Sequence, residues 1–108
     1  MNKATLRYRH HCAYTLSYHL VLVTKYRHKC LTNELLQVIE QSAKDRCASR
    51  DGELIEFNGE ADHVHVLLSL PPHIAISEFV NALKTNTSRV LRRDFSKHLE
   101  KFYTAPVL

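Results

Sequence analysis

The sequence predicts an α+β fold of the ferredoxin-like (RRM-like) type, in which two helices cover one face of an antiparallel sheet. Three observations support this fold class. The predicted elements follow in the order β-α-β-β-α, each helical stretch carries one apolar stripe, and the strand-like stretches are rich in β-branched and aromatic residues. The chain has 108 residues with only two glycines and three prolines. We therefore expect a single domain, residues 1–108, without a linker.

The first strand is predicted over Cys12–Tyr26, where aromatic and β-branched residues are dense. Both faces of this stretch carry large apolar side chains, which is typical of a central strand. A helix should follow, with Thr32 as its N-cap and its end near Asp51–Gly52. Its buried stripe is predicted to consist of Leu35, Ile39, Ala43 and Cys47.

The second and third strands are predicted at Glu53–Asn58 and Asp62–Leu70, joined by a turn at Asn58-Gly59. Ser77 is expected to cap a second helix. The buried stripe of this helix should consist of Phe79, Val80, Leu83, Val90, Leu91 and Phe95. Only residues 102–108 remain for the final strand that closes such a fold beside the first one. We therefore expect an incomplete edge, where the first strand is bare or pairs with another chain.

Positive charge is unevenly distributed along the chain. Residues 1–30 contain six Lys or Arg and no acidic residue, residues 31–62 contain eight acidic and three basic residues, and residues 63–108 contain six basic and three acidic residues. Such asymmetry predicts one face that meets a polyanion, with nucleic acid as the leading candidate and a solvated basic surface as the alternative. The predicted DNA-binding residues are Lys25, Arg27, Lys29, Arg89, Arg92 and Arg93.

Several classes of protein are excluded by what the sequence lacks. The three cysteines, Cys12, Cys30 and Cys47, form no Cys-x-x-Cys pair, which argues against a disulfide framework or a zinc ribbon and favours a reducing cytoplasm. Apolar runs fall far short of the roughly 18 residues that span a bilayer, so no membrane association is expected. A Gly-rich phosphate loop and a Gly-x-Ser-x-Gly elbow are also missing.

His63 and His65 are the candidate metal ligands. Alternate residues of a strand share a face, so the two imidazoles should point the same way while Val64 and Val66 point towards the helices. Two nitrogens on a helix-free face could hold a divalent metal ion that is open to solvent. The chain has eight histidines, so a His-x-His pair arises easily by chance, and two structural histidines are the alternative.

Three stretches carry a resemblance to a known family. They read Tyr-His-Leu-Val-Leu-Val-Thr-Lys-Tyr-Arg at 18–27, Asn-Gly-Glu-Ala-Asp-His-Val-His-Val-Leu-Leu-Ser-Leu-Pro-Pro at 58–72 and Leu-Lys-Thr-Asn-Thr-Ser-Arg at 83–89. From about Tyr14 to Val107 the chain resembles the TnpA-type, IS200-like single-tyrosine transposases of small bacterial insertion sequences, which belong to the HUH class of endonucleases.

The resemblance implies a homodimeric bacterial enzyme that cuts and rejoins single-stranded DNA beside hairpins. His63 and His65 would bind Mg²⁺ or Mn²⁺, and a tyrosine would attack the scissile phosphate to form a 5′-phosphotyrosine. In the family this tyrosine and a glutamine about one helical turn later, the third metal ligand, lie on a helix after the last strand. We expect the chain to be C-terminally shortened and to lack that helix, with Tyr103 as the nearest remaining candidate nucleophile.

Two further interpretations stay open. The chain could be a non-catalytic nucleic-acid-binding module that descends from a transposase and keeps its basic surface and its sheet. Alternatively, a longer partner chain could supply the tyrosine helix in trans. On either interpretation, this chain alone is not expected to cleave DNA.

Overall fold

Three antiparallel strands form one sheet in the order β1-β3-β2 in the computed structural model, which describes residues 14–101 and residue 108. The strands are β1 (Leu16–Val23), β2 (Glu53–Gly59) and β3 (His63–Leu70), and the helices are α1 (Asn33–Ser49), α2 (Ile76–Asp94) and the short α3 (Ser96–Leu99). This order of elements and the antiparallel sheet confirm the predicted α+β class.

The core lies between one face of the sheet and the two long helices. Val64, Val66 and Leu68, which alternate along β3, are completely buried. Burial of one such aliphatic side chain stabilises the fold by about 1.5–3 kcal/mol. They belong to one cluster with the buried residues of the two helices, which are Leu35, Ile39, Ala43 and Cys47 of α1 and Phe79, Leu83 and Leu91 of α2. Both helices therefore cover the same face, and none of the described helices lies on the opposite face of β3.

Helix α1 begins and ends as the sequence predicts. The side-chain oxygen of Thr32 accepts a hydrogen bond from the backbone N–H of Leu35 at 3.3 Å, which satisfies one of the N-terminal donors. At the other end, the N–H of Gly52 donates to the carbonyl of Cys47 at 2.7 Å. Asp51 adopts a positive φ of 59° just after the helix, so the helix terminates in a Schellman-type cap.

The first strand differs from its prediction in length and position. It spans Leu16–Val23 rather than Cys12–Tyr26, and it lies at an edge of the described sheet, whereas β3 is central. Cys12 itself lies outside the described residues. Val21 is 52% exposed and Val23 36%. The expectation that both faces of β1 are covered is not met among the described residues, because Val21 and Val23 lie on the face that the described helices leave open. The predicted final strand, which would lie beside β1, falls mostly on residues 102–107, outside the described residues.

The turn between β2 and β3 lies further along the chain than predicted. Asn58 and Gly59 belong to β2, where Gly59 is paired with Val64, and the turn consists of residues 60–62. Gly59 lies against α1 rather than in a turn. A Cβ atom there would overlap the end of the Leu36 side chain, so a larger residue would require Leu36 to shift.

Helix α2 begins one residue before the predicted cap. Ala75 occupies the N-cap position without a side-chain hydrogen bond, and Ser77 lies in the first turn. Val80, Val90 and Phe95 are half-buried rather than buried. The predicted final strand falls on residues 102–108, of which 102–107 lie outside the described residues. In the part of the chain that the structure describes, no helix combines the length and apolar character needed to cross a membrane.

A buried hydroxyl gives a test of this packing. The Thr87 side chain on α2 is completely buried, and its oxygen has no hydrogen-bond partner among the residues that the structure describes. Thr87→Val keeps the shape and removes an unpaired polar group, so we expect the free energy of unfolding to rise by about 1 kcal/mol in urea denaturation. Thr24→Val is the matched control. The buried Thr24 hydroxyl donates to the His28 carbonyl at 2.7 Å, so that variant should be destabilised. Equal destabilisation of both variants would contradict this account.

Candidate metal centre and nucleic-acid interface

His63 and His65 lie side by side on the helix-free face of the central strand. Their rings are edge-to-face with centroids 5.0 Å apart. On the neighbouring strands, Val23 is paired with His63, and Val21 and Asn58 are paired with His65. Both imidazoles are only partly buried. The structure thus brings the two predicted metal ligands together on a surface that a solute can reach.

Asp62 holds the ring of His63 from the side. The Nδ1 atom of His63 lies 2.7 Å from Oδ1 of Asp62. An ionised carboxylate only accepts hydrogen bonds, so in a neutral imidazole this contact requires the proton on Nδ1 and leaves the lone pair on Nε2. The hydrogen bond from His63, with a smaller contribution from Arg27, lowers the pKa of Asp62 below its ordinary value. The carboxylate therefore stays ionised at neutral pH, and Nε2 is the atom of His63 that could bind a metal ion.

Arg27 pairs with the other oxygen of the same carboxylate. Its Nε and Nη2 atoms donate to Oδ2 of Asp62 at 3.3 and 3.2 Å. The Arg27 side chain is 65% exposed, whereas that of Asp62 is 14% exposed. Arg27 was predicted to contact DNA. In the structure it forms this internal ion pair, and its exposed side chain remains accessible from solvent.

His19 is a third imidazole on this face. It lies on β1, and its ring centroid is 5.6 Å from that of His65. A shallow depression of about 210 Å³ is lined by His19, Glu56, Asn58, His65 and Leu67. The sequence alone gives no reason to place His19 in the site, because its distance from His65 depends on the pairing register of β1 with β3. That register has no local sequence pattern.

The segment after β1 carries an exposed aromatic residue, Tyr26. The N–H of Arg27 donates to the carbonyl of Thr24 at 2.9 Å and closes a tight turn. Tyr26 and Arg27 have positive φ values of 61° and 54°, a conformation that costs an L-residue roughly 1–2 kcal/mol. The Tyr26 ring is 79% exposed and lies 5.9 Å from the ring of His28. Strain and exposure of a large aromatic side chain are both typical of binding sites.

The predicted DNA-binding residues lie on two surfaces. Lys25 and Lys29 are exposed on the same segment as Arg27, next to the His63 end of β3. The other three lie on α2, which packs against the opposite face of the sheet. Arg89 is exposed there, Arg92 is half-buried, and Arg93 pairs with Asp94 at 2.8 Å. The structure therefore places one of the two basic clusters, residues 25–29, beside the histidines.

The donors present fit a divalent cation in part. Two imidazoles on one strand face can supply two nitrogen ligands. Within residues 14–101 and 108, no group of three or more His, Cys, Asp or Glu side chains is arranged to hold a metal ion. The remaining ligand positions would therefore need water, a phosphate oxygen, or residues beyond those described. Tyr103, the candidate nucleophile, lies outside the described residues.

Comparison with known proteins finds that the chain is similar to transposases of insertion sequences. Residues 12–108 match the family model described as "Transposase IS200 like". The chain is 37% identical over 90 residues to the ISDra2 transposase TnpA of Deinococcus radiodurans, which covers 83% of this chain and 64% of the relative. It is 29% identical over 85 residues to the transposase for insertion sequence element IS200 of Salmonella typhimurium, which covers 79% of this chain and 56% of the relative.

A solved structure agrees with the sequence relatives. The fold superimposes with a TM-score of 0.75 and 32% identity on the crystal structure of a protein described as a transposase from Deinococcus radiodurans R1, over 84% of this chain and 70% of that one. The chain therefore spans a little under two thirds of the length of the curated Deinococcus relative and just over half of the Salmonella one.

Proposed function

Because the chain belongs to the family of IS200-like transposases, we propose that it binds single-stranded DNA at insertion-sequence hairpins and holds a divalent cation at His63 and His65. One observation carries this proposal. The two histidines share an exposed strand face, with Asp62 orienting His63, directly beside a segment that projects Tyr26 and several cations. The bacterial cytoplasm is the proposed location.

The donor set predicts which cation binds more tightly. Imidazole nitrogens bind Mn²⁺ better than Mg²⁺, which prefers oxygen ligands. A bound cation would supply Lewis-acid stabilisation to the phosphate whose ester bond is broken. The chain's own contribution is to present Nε2 of His63 and one nitrogen of His65 on a rigid strand. We propose Mn²⁺ as the tighter ligand and Mg²⁺ as the weaker one.

Metal binding can be measured on the isolated chain. At a Mn²⁺ concentration about five times Kd, binding adds about 1 kcal/mol to stability, so Tm should rise by roughly 4–8 °C, and by less with equal Mg²⁺. His65→Ala should abolish the rise. His73→Ala, which removes an exposed histidine before α2, should leave it intact. A Tm that is the same with and without millimolar Mn²⁺ would rule out the metal site.

The segment at residues 24–29 is the proposed DNA contact. An exposed aromatic ring can stack on a base irrespective of sequence, and neighbouring cations attract the phosphates. Lys25 and Lys29 flank Tyr26 on this segment and are both exposed. The backbone of Thr24 is hydrogen-bonded to Asp62 at 3.0 Å, so the segment that carries Tyr26 is anchored to the turn that precedes His63.

Substitution of Tyr26 separates DNA binding from folding. Tyr26→Asn removes the ring and introduces a residue that tolerates positive φ, so stability should be unchanged or higher by up to about 1 kcal/mol. Affinity for a single-stranded oligonucleotide, measured by fluorescence anisotropy, should fall about 5- to 100-fold. Tyr14→Asn is the matched control, since Tyr14 is also exposed but precedes the opposite end of β1. Equal losses in both variants would count against a stacking role for Tyr26.

In a second candidate function, the chain binds nucleic acid at the same surface but does not cleave it by itself. The described tyrosines offer no clear nucleophile: Tyr18 lies on the helix-covered side of β1, Tyr14 lies before the far end of that strand, and Tyr26 is assigned to base stacking. The chain could act as a nucleic-acid-binding module, or it could cleave together with a tyrosine from a second chain in a dimer. The exposed edge of β1 within the described sheet is the proposed surface for such a dimer.

Product analysis distinguishes the two functions. The 108-residue chain is incubated with a hairpin-bearing single-stranded oligonucleotide and Mn²⁺, and the products are resolved under denaturing conditions. We expect binding with steep salt dependence and no covalent adduct, which supports the module. An adduct that disappears in His65→Ala would instead establish cleavage by this chain. Equal affinity for a hairpin and for plain duplex DNA would overturn the proposed specificity.

A further inference from the structure

We propose that Asp62 and Arg27 are positioning residues for His63. The carboxylate fixes the imidazole in the tautomer that leaves Nε2 free for a metal ion, and the guanidinium fixes the carboxylate. This inference rests on the proposed metal site at His63 and His65, and it assigns a role in that site to two residues that bind no metal themselves.

Each oxygen of the Asp62 carboxylate has its own partner. Oδ1 lies 2.7 Å from Nδ1 of His63, and Oδ2 accepts two hydrogen bonds from Arg27 at 3.3 and 3.2 Å. Rotation of the carboxylate would break contacts on both sides. Its side chain is 14% exposed, so water competes poorly for these oxygens. The carboxylate is therefore held in one orientation towards the imidazole.

This orientation decides which nitrogen of His63 carries the proton. A neutral imidazole has one N–H, and an ionised carboxylate can only accept it. Nδ1 must then be the donor, whereas free histidine favours the proton on Nε2. Asp62 thus selects the otherwise less populated tautomer. A carboxylate hydrogen-bonded to the outer nitrogen of a ligating histidine also fixes the orientation of the ring, and loss of such a partner weakens metal binding.

The direction of the Arg27 side chain depends on the backbone of the segment that carries it. The hydroxyl of Thr24 donates to the carbonyl of His28 at 2.7 Å, and the N–H of Thr24 donates to the carbonyl of Asp62 at 3.0 Å. Between these anchors, positive φ values at Tyr26 and Arg27 reverse the chain. The guanidinium is therefore directed back to the turn before β3. The direction of the guanidinium explains the strained backbone at Tyr26 and Arg27, which nothing in the core requires.

His65 provides an internal comparison. Its neighbours on the sheet are the rings of His63 and His19, at 5.0 and 5.6 Å between centroids. Within the described part of the chain it forms no ion pair with a carboxylate. A change at Asp62 should therefore alter the tautomer of His63 and leave that of His65 as it was.

The tautomers are measured in metal-free protein labelled with ¹⁵N-histidine, by long-range ¹H–¹⁵N correlation at pH 8. In the wild type we expect His63 to carry its proton on Nδ1. Asp62→Ala should move it to Nε2 and lower the affinity for Mn²⁺ about 10- to 100-fold. If that variant fails to fold, Asp62→Asn preserves the side-chain volume and removes the charge, and a partial shift of the proton is then expected.

Substitution of Arg27 tests the second half of the proposal. Arg27→Gln should shift the His63 proton partly towards Nε2 and weaken Mn²⁺ binding less than Asp62→Ala does, and Arg27→Lys should restore most of both. Lys29→Gln is the control, because it removes an exposed cation from the same segment. It should lower DNA affinity and leave the tautomer and Mn²⁺ binding unchanged.

The outcomes separate this inference from the metal site on which it rests. A His63 proton on Nε2 in the wild type, or a tautomer unchanged in Asp62→Ala, would overturn the positioning role even if Mn²⁺ binds. The expected tautomers without any Mn²⁺ binding would overturn the metal site and leave the selection of the tautomer standing. An identical tautomer and Mn²⁺ affinity in Arg27→Gln would remove Arg27 from the proposal.

Discussion

The burial of alternate residues on β3 is the constraint on which the rest of the molecule depends. Val64, Val66 and Leu68 are fully buried beneath the two long helices. A slip of one residue in the pairing of this strand would expose them and place both imidazoles in the core. The burial of these three side chains therefore stabilises the fold and also keeps His63 and His65 on the exposed face of the sheet. The pairing of this strand thus places both imidazoles on one exposed face, and Asp62 then orients the ring of His63.

Asp62 connects this strand to the segment after β1. Its carbonyl accepts the N–H of Thr24, and its carboxylate accepts hydrogen bonds from Arg27 and His63. These contacts offset the cost of two successive residues with positive φ, which is roughly 1–2 kcal/mol for each. A segment that only linked β1 to α1 could relax without this strain. Its retention makes sense if the position of Arg27 and the exposure of Tyr26 serve the binding of a ligand.

Much of the fold was predictable because its determinants are local. The Thr32 cap, the stripe of α1 and the alternation on β3 each depend on residues a few positions apart, and all three were confirmed. The turn at Asn58-Gly59 and the cap at Ser77 were wrong: Asn58 and Gly59 belong to β2, where Gly59 packs against Leu36 of α1, and α2 begins at Ile76, before Ser77. In the site, the histidine pair could be predicted from its spacing. The approach of His19 to His65 and the ion pair of Arg27 with Asp62 join residues far apart in sequence, so only the strand register reveals them.

The pairing of charges narrows where DNA is expected to bind. Arg27 is bound to Asp62 and Arg93 to Asp94, so part of the positive charge counted in the sequence is neutralised within the molecule. The exposed pair of Arg93 with Asp94 contributes little to stability, but it makes the surface of α2 less positive than its number of arginines suggests. Lys25 and Lys29 lie exposed on either side of Tyr26. On our proposal the single-stranded DNA therefore contacts the segment after β1 first and stacks a base on Tyr26. Its phosphates then reach the histidine face already positioned.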